Sequence, residues 1–303
     1  MRIVFVGTVD FSKHCLQQVL ENGGHVVAVL TLPRERARFN NDYADLKPTA
    51  ISYGVPVYHI DKINDPETIT LIRSLQPDVI FVFGLSQLIS KEILEIPPLG
   101  CIGTHPALLP RNRGRHPLIW ALVEGLTESG LTFFYLDEGA DSGDILWQKS
   151  FPITLEDDAG TLYDKMKILA TQAIQDFLHQ LGQGTASRIP QKHSQATYWR
   201  KRTAKDGEIH WDAPTIQTYN LIRGLTHPYI GAHSYLNGKK IVIWRTQLPS
   251  VSLPTEAKKL PPGSIFTQSD SGFNVRTGDG FLTLLEYELM HKGSLKIGMR
   301  LGS

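Results

Sequence analysis

The chain has 303 residues, enough for two domains with separate cores, because single cores stop growing near this size. Apolar residues make up 41% and charged residues 20% without a biased tract, which excludes a fibrous or disordered chain. Lys and Arg number 31 against 30 Asp and Glu, so a formal charge of +1 offers no broad cationic field to a polyanion.

The opening MRIVFVG is too short to span a bilayer and carries no cleavage pattern, so it predicts a first strand in a cytoplasmic protein with no membrane partner. Next, Phe11, Cys15, Leu16, Val19 and Leu20 fall on one helical face, and Gly23 and Gly24 stop the helix. HVVAVLTL predicts the second strand. After a polar stretch from Pro33 to Pro48, a helix through Ala50 to Tyr53 leads to a strand in VPVYHI. PETITLIRSLQ then predicts a helix before the strands DVIFVFG and GCIGTH. Strands alternating with helices signify βαβ units around a parallel sheet.

A long helix is expected over GTLYDKMKILATQAIQDFLHQL, where Leu162, Met166, Leu169, Ile174, Phe177, Leu178 and Leu181 form an apolar stripe. Beyond about Trp199 the texture changes. A short helix near APTIQTYNLIRGL precedes a hairpin turning at Asn237-Gly238, and SIFTQ, GFNVRT and FLTLLEYEL predict further strands. Leu248 to Gly263 reads as a proline-rich loop. The predicted architecture is α/β, a Rossmann-like, mostly parallel sheet with helices on both faces over residues 1–199, followed by a small OB-like β-barrel over 200–303. Cys15 and Cys101 sit in no metal-binding spacing and read as core thiols, and no metal site is expected.

Two loops carry more polar chemistry than packing requires. GTHPALLPRNRGRHP, Gly103 to Pro117, leaves a buried strand at the edge where open α/β sheets bind ligands, which places His105 at a candidate site. YLDEGADSGDIL, Tyr135 to Leu146, is an acidic loop between two apolar patterns, and its Asp141 follows His105 by 36 positions. A histidine beside a carboxylate is held in one tautomer and tuned in pKa, an arrangement suited to hydrolysis or group transfer.

HPALLPRNRG followed by GADSGDI resembles the active-site signature of the folate-dependent formyltransferases. FVGTVDFS, FGLSQLISKEILEIPPLGCI, KDGEIHWDAP, LIRGLTHPYIGAHSY and GDGFLTLLE resemble further stretches of the family in the same order, so the likeness covers most of the chain. It implies N10-formyltetrahydrofolate as formyl donor and a catalytic set of Asn-x-His-Pro plus a distant aspartate, carried here by His105 and Asp141. The asparagine of that set is Gly103 here. Its amide is an oxyanion donor of a kind worth about 3 kcal/mol. His105 in its protonated form, a water, a slow or altered enzyme, or a strand end that simply needs close backbone approach are the open explanations, and the hydrolase-like domain of formyltetrahydrofolate dehydrogenase is similar in lacking the same asparagine.

By the same resemblance, folate is held by main-chain groups of Phe83, Gly84, Leu85, Ser86, Gln87, Leu88 and Ile89 and of Leu136, Asp137, Glu138, Gly139 and Ala140, with Asp144 either reaching the pterin or capping the turn. Phe83 and Leu88 read equally as core residues. For the acceptor, the basic segment Arg34, Arg36 and Arg38 is diluted by Glu35, Asp42 and Asp45, which disfavours tRNA. RGRHPLIWAL and WRKRTAKDGEIHW look closer to enzymes acting on nucleotide-linked amino sugars. The expected acceptor is therefore a nucleotide-linked amino sugar for surface polysaccharide, met by Thr8, Asp10, Arg113, Arg115 and His116, with Arg200 nearby. Methionyl-tRNA formylation, formyl-folate hydrolysis and non-catalytic folate binding are its rivals, and a homodimer is compatible with all of them.

Overall fold

Strand β1 (Arg2–Val6) leaves Ile3, Val4, Phe5 and Val6 no exposed surface, as befits an inner strand covered on both faces. It lies in the computed structural model of the chain, which describes residues 1–35 and 42–302. Arg36 and Arg38 of the basic segment fall outside the described residues. From β1 the chain passes through α1 (Asp10–Glu21), β2 (His25–Thr31), α2 (Lys47–Ser52), β3 (Val57–His59), α3 (Pro66–Leu75), β4 (Val79–Val82), the one-turn α4 (Lys91–Leu94) and β5 (Cys101–His105). After β6 (Arg113–Gly114) and α5 (Pro117–Val123) come β7 (Glu128–Tyr135), β8 (Ile145–Pro152), α6 (Ala159–Gln183) and β9 (Tyr198–Trp199).

The large sheet has the order β3-β2-β1-β4-β5-β7-β8. Its first five strands run parallel, and β7 pairs antiparallel with β5 in the register Gly103↔Phe134 and His105↔Thr132. Strand order reverses beside β1, so the crevice at the carboxyl ends of β1, β4 and β5 is the expected ligand edge. Helix α1 buries Phe11, Ser12, Cys15, Leu16 and Val19, which include four of the five residues expected on its apolar face, while the fifth, Leu20, is half-buried. Ser12 Oγ accepts from the N–H groups of Thr8 and Val9 and donates to the carbonyl of Phe83, joining the turn after β1 to the end of β4. Phe5, Phe81, Phe83, Phe133 and Phe177 form a chain of ring contacts beneath that edge, with centroids 5.0–6.0 Å apart. Cys15 and Cys101 are buried free thiols, and burial pushes Cys101 up to about 12.

By contact density the chain forms two units, one of Met1–Pro117, Ser129–Pro152 and Tyr163–Arg200, the other of Leu118–Glu128, Ile153–Leu162 and Lys201–Ser303. The second holds α7 (Thr215–Leu225), β10 (Ala232–Leu236), β11 (Lys239–Gln247), α8 (Thr255–Lys258), β12 (Ile265–Ser269), β13 (Gly272–Arg276) and β14 (Phe281–Leu289). Its five strands make an antiparallel sheet, β10-β11-β14-β13-β12. Trp211, Ile222, Leu236, Ile241, Val275 and Leu284 belong to its core. Asn237 and Gly238 both have positive φ, 51° and 73°, the conformation of a tight two-residue hairpin turn. The short helix α8 interrupts the stretch read from sequence as a loop. No helix among the described residues is long and apolar enough to cross a membrane.

Candidate active site

His105 ends β5 with 4% of its surface exposed. Its Nε2 lies 2.7 Å from the main-chain oxygen of Asn112. A carbonyl only accepts, so Nε2 carries the proton of that bond, and Nδ1 is left as the exchangeable position. Nδ1 faces Asp141 Oδ2 at 3.6 Å. That separation is too long for a direct hydrogen bond but within ion-pair range when the imidazole is protonated.

Asp141 is held from two sides. Its Oδ2 accepts from the main-chain N–H of Gly114 at 2.8 Å, and its main-chain oxygen accepts from Gln191 Nε2 at 3.0 Å. Its φ of +54° puts a non-glycine residue in the left-handed region. Gly114 itself has φ +105°, and a Cβ there would lie 2.2 Å from the carbonyl oxygen of Trp199. Only glycine allows β6 to press this closely on β9 while aiming its N–H at the carboxylate.

The two stretches expected to face folate lie side by side. Phe83 continues β4 and Leu136 follows β7, strands that flank β5, and Lys91 pairs with Glu138 at 3.6 Å across them. Leu85 and Leu136 pack on the same apolar cluster, which includes Ile89, Ile93 and Cys101. Phe83 is wholly buried, so only its main chain is offered to a ligand. The core reading of Leu88 is corrected, because its side chain is 68% exposed where the chain has already left β4. Ser86 is exposed and Gly84 is half-buried, while Gln87 turns its Oε1 to the N–H of Ile63 at 3.0 Å. Asp137, Glu138, Gly139 and Ala140 are exposed, with Asp137 Oδ1 accepting from Gly139 N and Ser142 Oγ at 3.1 and 2.7 Å. The half-buried Asp144 accepts from Tyr135 N–H through its main-chain oxygen at 2.8 Å.

The residues expected at the acceptor are placed unevenly. Thr8 is buried in the turn after β1, and Asp10 pairs with Lys167. Arg115 is exposed and His116 is half-buried with φ +57°. Arg113 is corrected most sharply. It is 2% exposed, and its guanidinium donates to Gln191 Oε1 at 2.7 Å and to the Tyr198 hydroxyl at 2.9 Å and contacts His193 Nδ1 at 3.2 Å. A buried guanidinium matched in this way is not available to a diphosphate. Asn112 and Gln191 were missed from sequence, since Asn112 acts through its main chain and Gln191 lies 50 positions beyond Asp141.

A formyl transferase profile matches residues 1–178, and a profile of the formyl transferase C-terminal domain matches residues 201–299. The chain is 36% identical over 300 residues to the methionyl-tRNA formyltransferase of Pelotomaculum thermopropionicum, covering 98% of this chain and 94% of that protein. It is 35% identical over 303 residues to the methionyl-tRNA formyltransferase of Caldanaerobacter subterraneus subsp. tengcongensis, covering 99% and 95%. Among solved structures, WlaRD, a sugar 3N-formyl transferase, superposes with a TM-score of 0.68 over 96% of this chain and 98% of that one, at 18% identity. The latter likeness speaks for the fold alone. The contrast between 36% and 18% identity overturns the nucleotide-linked amino sugar as acceptor, together with its polysaccharide setting.

Proposed function

The chain belongs to the formyl transferase family, and we propose that its acceptor is the amino group of methionyl-tRNA. It is a formyltransferase, with formyl-tetrahydrofolate as donor. One observation carries the acceptor: likeness at 33–36% identity extends over nearly the full length of methionyl-tRNA formyltransferases, C-terminal domain included. The near-neutral total charge weighed against tRNA in the sequence, but total charge averages over the surface, whereas phosphate contacts need only a local set of cations.

The fit of the donor rests on the paired stretches 83–89 and 136–140. They offer main-chain donors and acceptors for a pterin and an exposed apolar side chain, Leu88, for its ring system. The donor supplies an activated formyl carbon. In this reading His105 works through Nδ1, because Asn112 holds Nε2–H in place. As the amine attacks, the imidazole accepts its proton, the resulting Nδ1–H faces the developing oxyanion, and that proton then passes to the departing folate nitrogen as the oxyanion collapses and the carbon–nitrogen bond to the donor breaks. Asp141, fixed by Gly114 N–H, stabilises the imidazolium. Gly103 has no side-chain amide, which leaves this N–H as the side-chain donor assigned to the oxyanion.

The test is to incubate the protein with 10-formyltetrahydrofolate and charged initiator tRNA, measuring formylmethionine after deacylation and tetrahydrofolate by absorbance. Equal yields of both products are expected. Tetrahydrofolate release that proceeds equally without tRNA would assign the protein to formyl-folate hydrolysis instead.

A further inference from the structure

The segment that follows α6 returns to the site and closes a ring of hydrogen bonds around Asp141. Gln191, 6% exposed, uses both ends of its carboxamide. Oε1 accepts from Arg113 Nη2 at 2.7 Å and Nε at 3.3 Å, and Nε2 donates to the main-chain oxygens of Asp141 at 3.0 Å and Gly143 at 2.6 Å. Arg113 is joined by one peptide bond to Gly114, whose N–H holds the Asp141 carboxylate, and by another to Asn112, whose carbonyl holds His105 Nε2. The same returning segment grips this stretch again, since Thr197 O accepts from Arg113 N at 2.9 Å and Thr197 Oγ1 from Asn112 N at 2.8 Å.

We propose that Gln191 is a positioning residue for the transfer reaction: its single amide, paired with Arg113, sets where the Asp141 carboxylate stands relative to His105 Nδ1. Three features support this. The ring runs from Gln191 through the Asp141 main chain, the Asp141 carboxylate, Gly114 and Arg113 back to Gln191, so no member shifts alone. Asp141 holds a left-handed φ of +54°, uncommon for a residue with a side chain, and the Gln191 amide bonds its main-chain oxygen in that conformation. Both anchoring side chains are almost wholly buried, where a hydrogen bond is strong and a missing partner is expensive. An amide suits the place because it presents one acceptor to a guanidinium and two N–H donors to two carbonyls. A carboxylate would keep the guanidinium and repel the carbonyls.

The proposal rests on His105 and Asp141 being the reacting pair. Its test compares wild type, Gln191→Glu, Asp141→Asn and the double variant, with the unfolding midpoint recorded for each. Gln191→Glu is expected to lower kcat for methionyl-tRNA formylation at least tenfold and to leave KM for the tRNA within twofold. In the Asp141→Asn background the same change is expected to alter kcat by less than twofold, because it acts through a carboxylate already removed. A kcat within twofold of wild type for Gln191→Glu, or losses that multiply in the double variant, would overturn the proposal. Should Gln191→Glu fail to fold, Gln191→Met keeps length and volume without donors and carries the same expectations. Should wild type form no formylmethionyl-tRNA, the acceptor reading falls separately. The imidazole 15N resonances of His105, read with no substrate present, then decide: a matching shift in the Gln191 and Asp141 variants supports the clamp, and a wild-type spectrum in the Gln191 variant refutes it.

Discussion

Leu136 fills the space beside Gly103: a Cβ built on Gly103 would lie 2.5 Å from Leu136 Cδ2. Gly103 and His105 are two residues apart on β5 and share a face, so the side chain that an amide at position 103 would displace is the leucine that opens the acidic loop. The glycine is thus one half of a packed pair.

Restoring an amide by Gly103→Asn should therefore destabilise the protein by about 1–3 kcal/mol, the usual range for overpacking. Adding Leu136→Ala should recover part of that loss. Urea unfolding of the two variants measures both; a Gly103→Asn protein as stable as wild type would show that Leu136 moves aside freely.

His105→Asn and Asp141→Asn should each reduce kcat by about 10²-fold or more, the range for removing a general acid–base group. Folate affinity should change little, because the pterin contacts are assigned to main chain. Calorimetric titration with a stable formyl-folate analogue checks the second half, and a large loss of affinity in either variant would move these residues from chemistry to binding.

Leu88 gives the cleanest separation of binding from folding. With 68% of its surface exposed, Leu88→Ser should leave stability within about 0.5 kcal/mol. KM for the formyl donor should rise several-fold if the leucine lies under the pterin. An unchanged KM would remove Leu88 from the folate surface.

Arg223 should matter for stability. Its guanidinium, buried and with its pKa lowered by that burial, donates to Asn220 Oδ1 at 2.8 Å and to the carbonyls of Thr154 and Asp157 at 2.6 and 2.8 Å. Arg223→Met leaves these acceptors unmatched and should lower the unfolding free energy by about 2–4 kcal/mol. A thermal midpoint equal to wild type would contradict this.

Much of the fold could be read from periodicity, and the site only in part. The stripe of α6 and the runs of β1 and β4 announce themselves, since burial on one face or on both leaves a pattern in consecutive residues. His105 and Asp141 stood out because a strand end followed by a polar loop has no packing reason to carry them. Arg113 misled for a physical reason: an arginine in a glycine- and proline-containing loop normally faces water, and the groups that bury it, Gln191 and Tyr198, lie 78 and 85 positions away. Leu88 misled in the opposite direction, an apolar residue that lies beyond the end of β4 and faces out.

Stability should fall on mild acidification through His233. Burial, reinforced by the Lys240 charge, lowers its pKa below the ordinary histidine value of about 6.5. A proton then binds the unfolded chain more readily, so this contribution is complete above about pH 6.5 and is lost as pH drops toward the folded value. His14 acts with the same sign, also through burial. The fall in unfolding free energy between pH 7.5 and 5 should be shallower in His233→Gln, and parallel curves would exclude the residue as a source.

The return of residues 189–199 to the His105–Asp141 pair ties the geometry there to the direction of synthesis. Sheet strands β1 to β8 are all made before Gln191 leaves the ribosome, yet Asp141 and Asn112 take their anchors from Gln191 and Thr197. A nascent chain can thus assemble its large sheet before Asp141 and Asn112 meet these partners, and the hydrogen bonds around the pair close when the connector past α6 has docked.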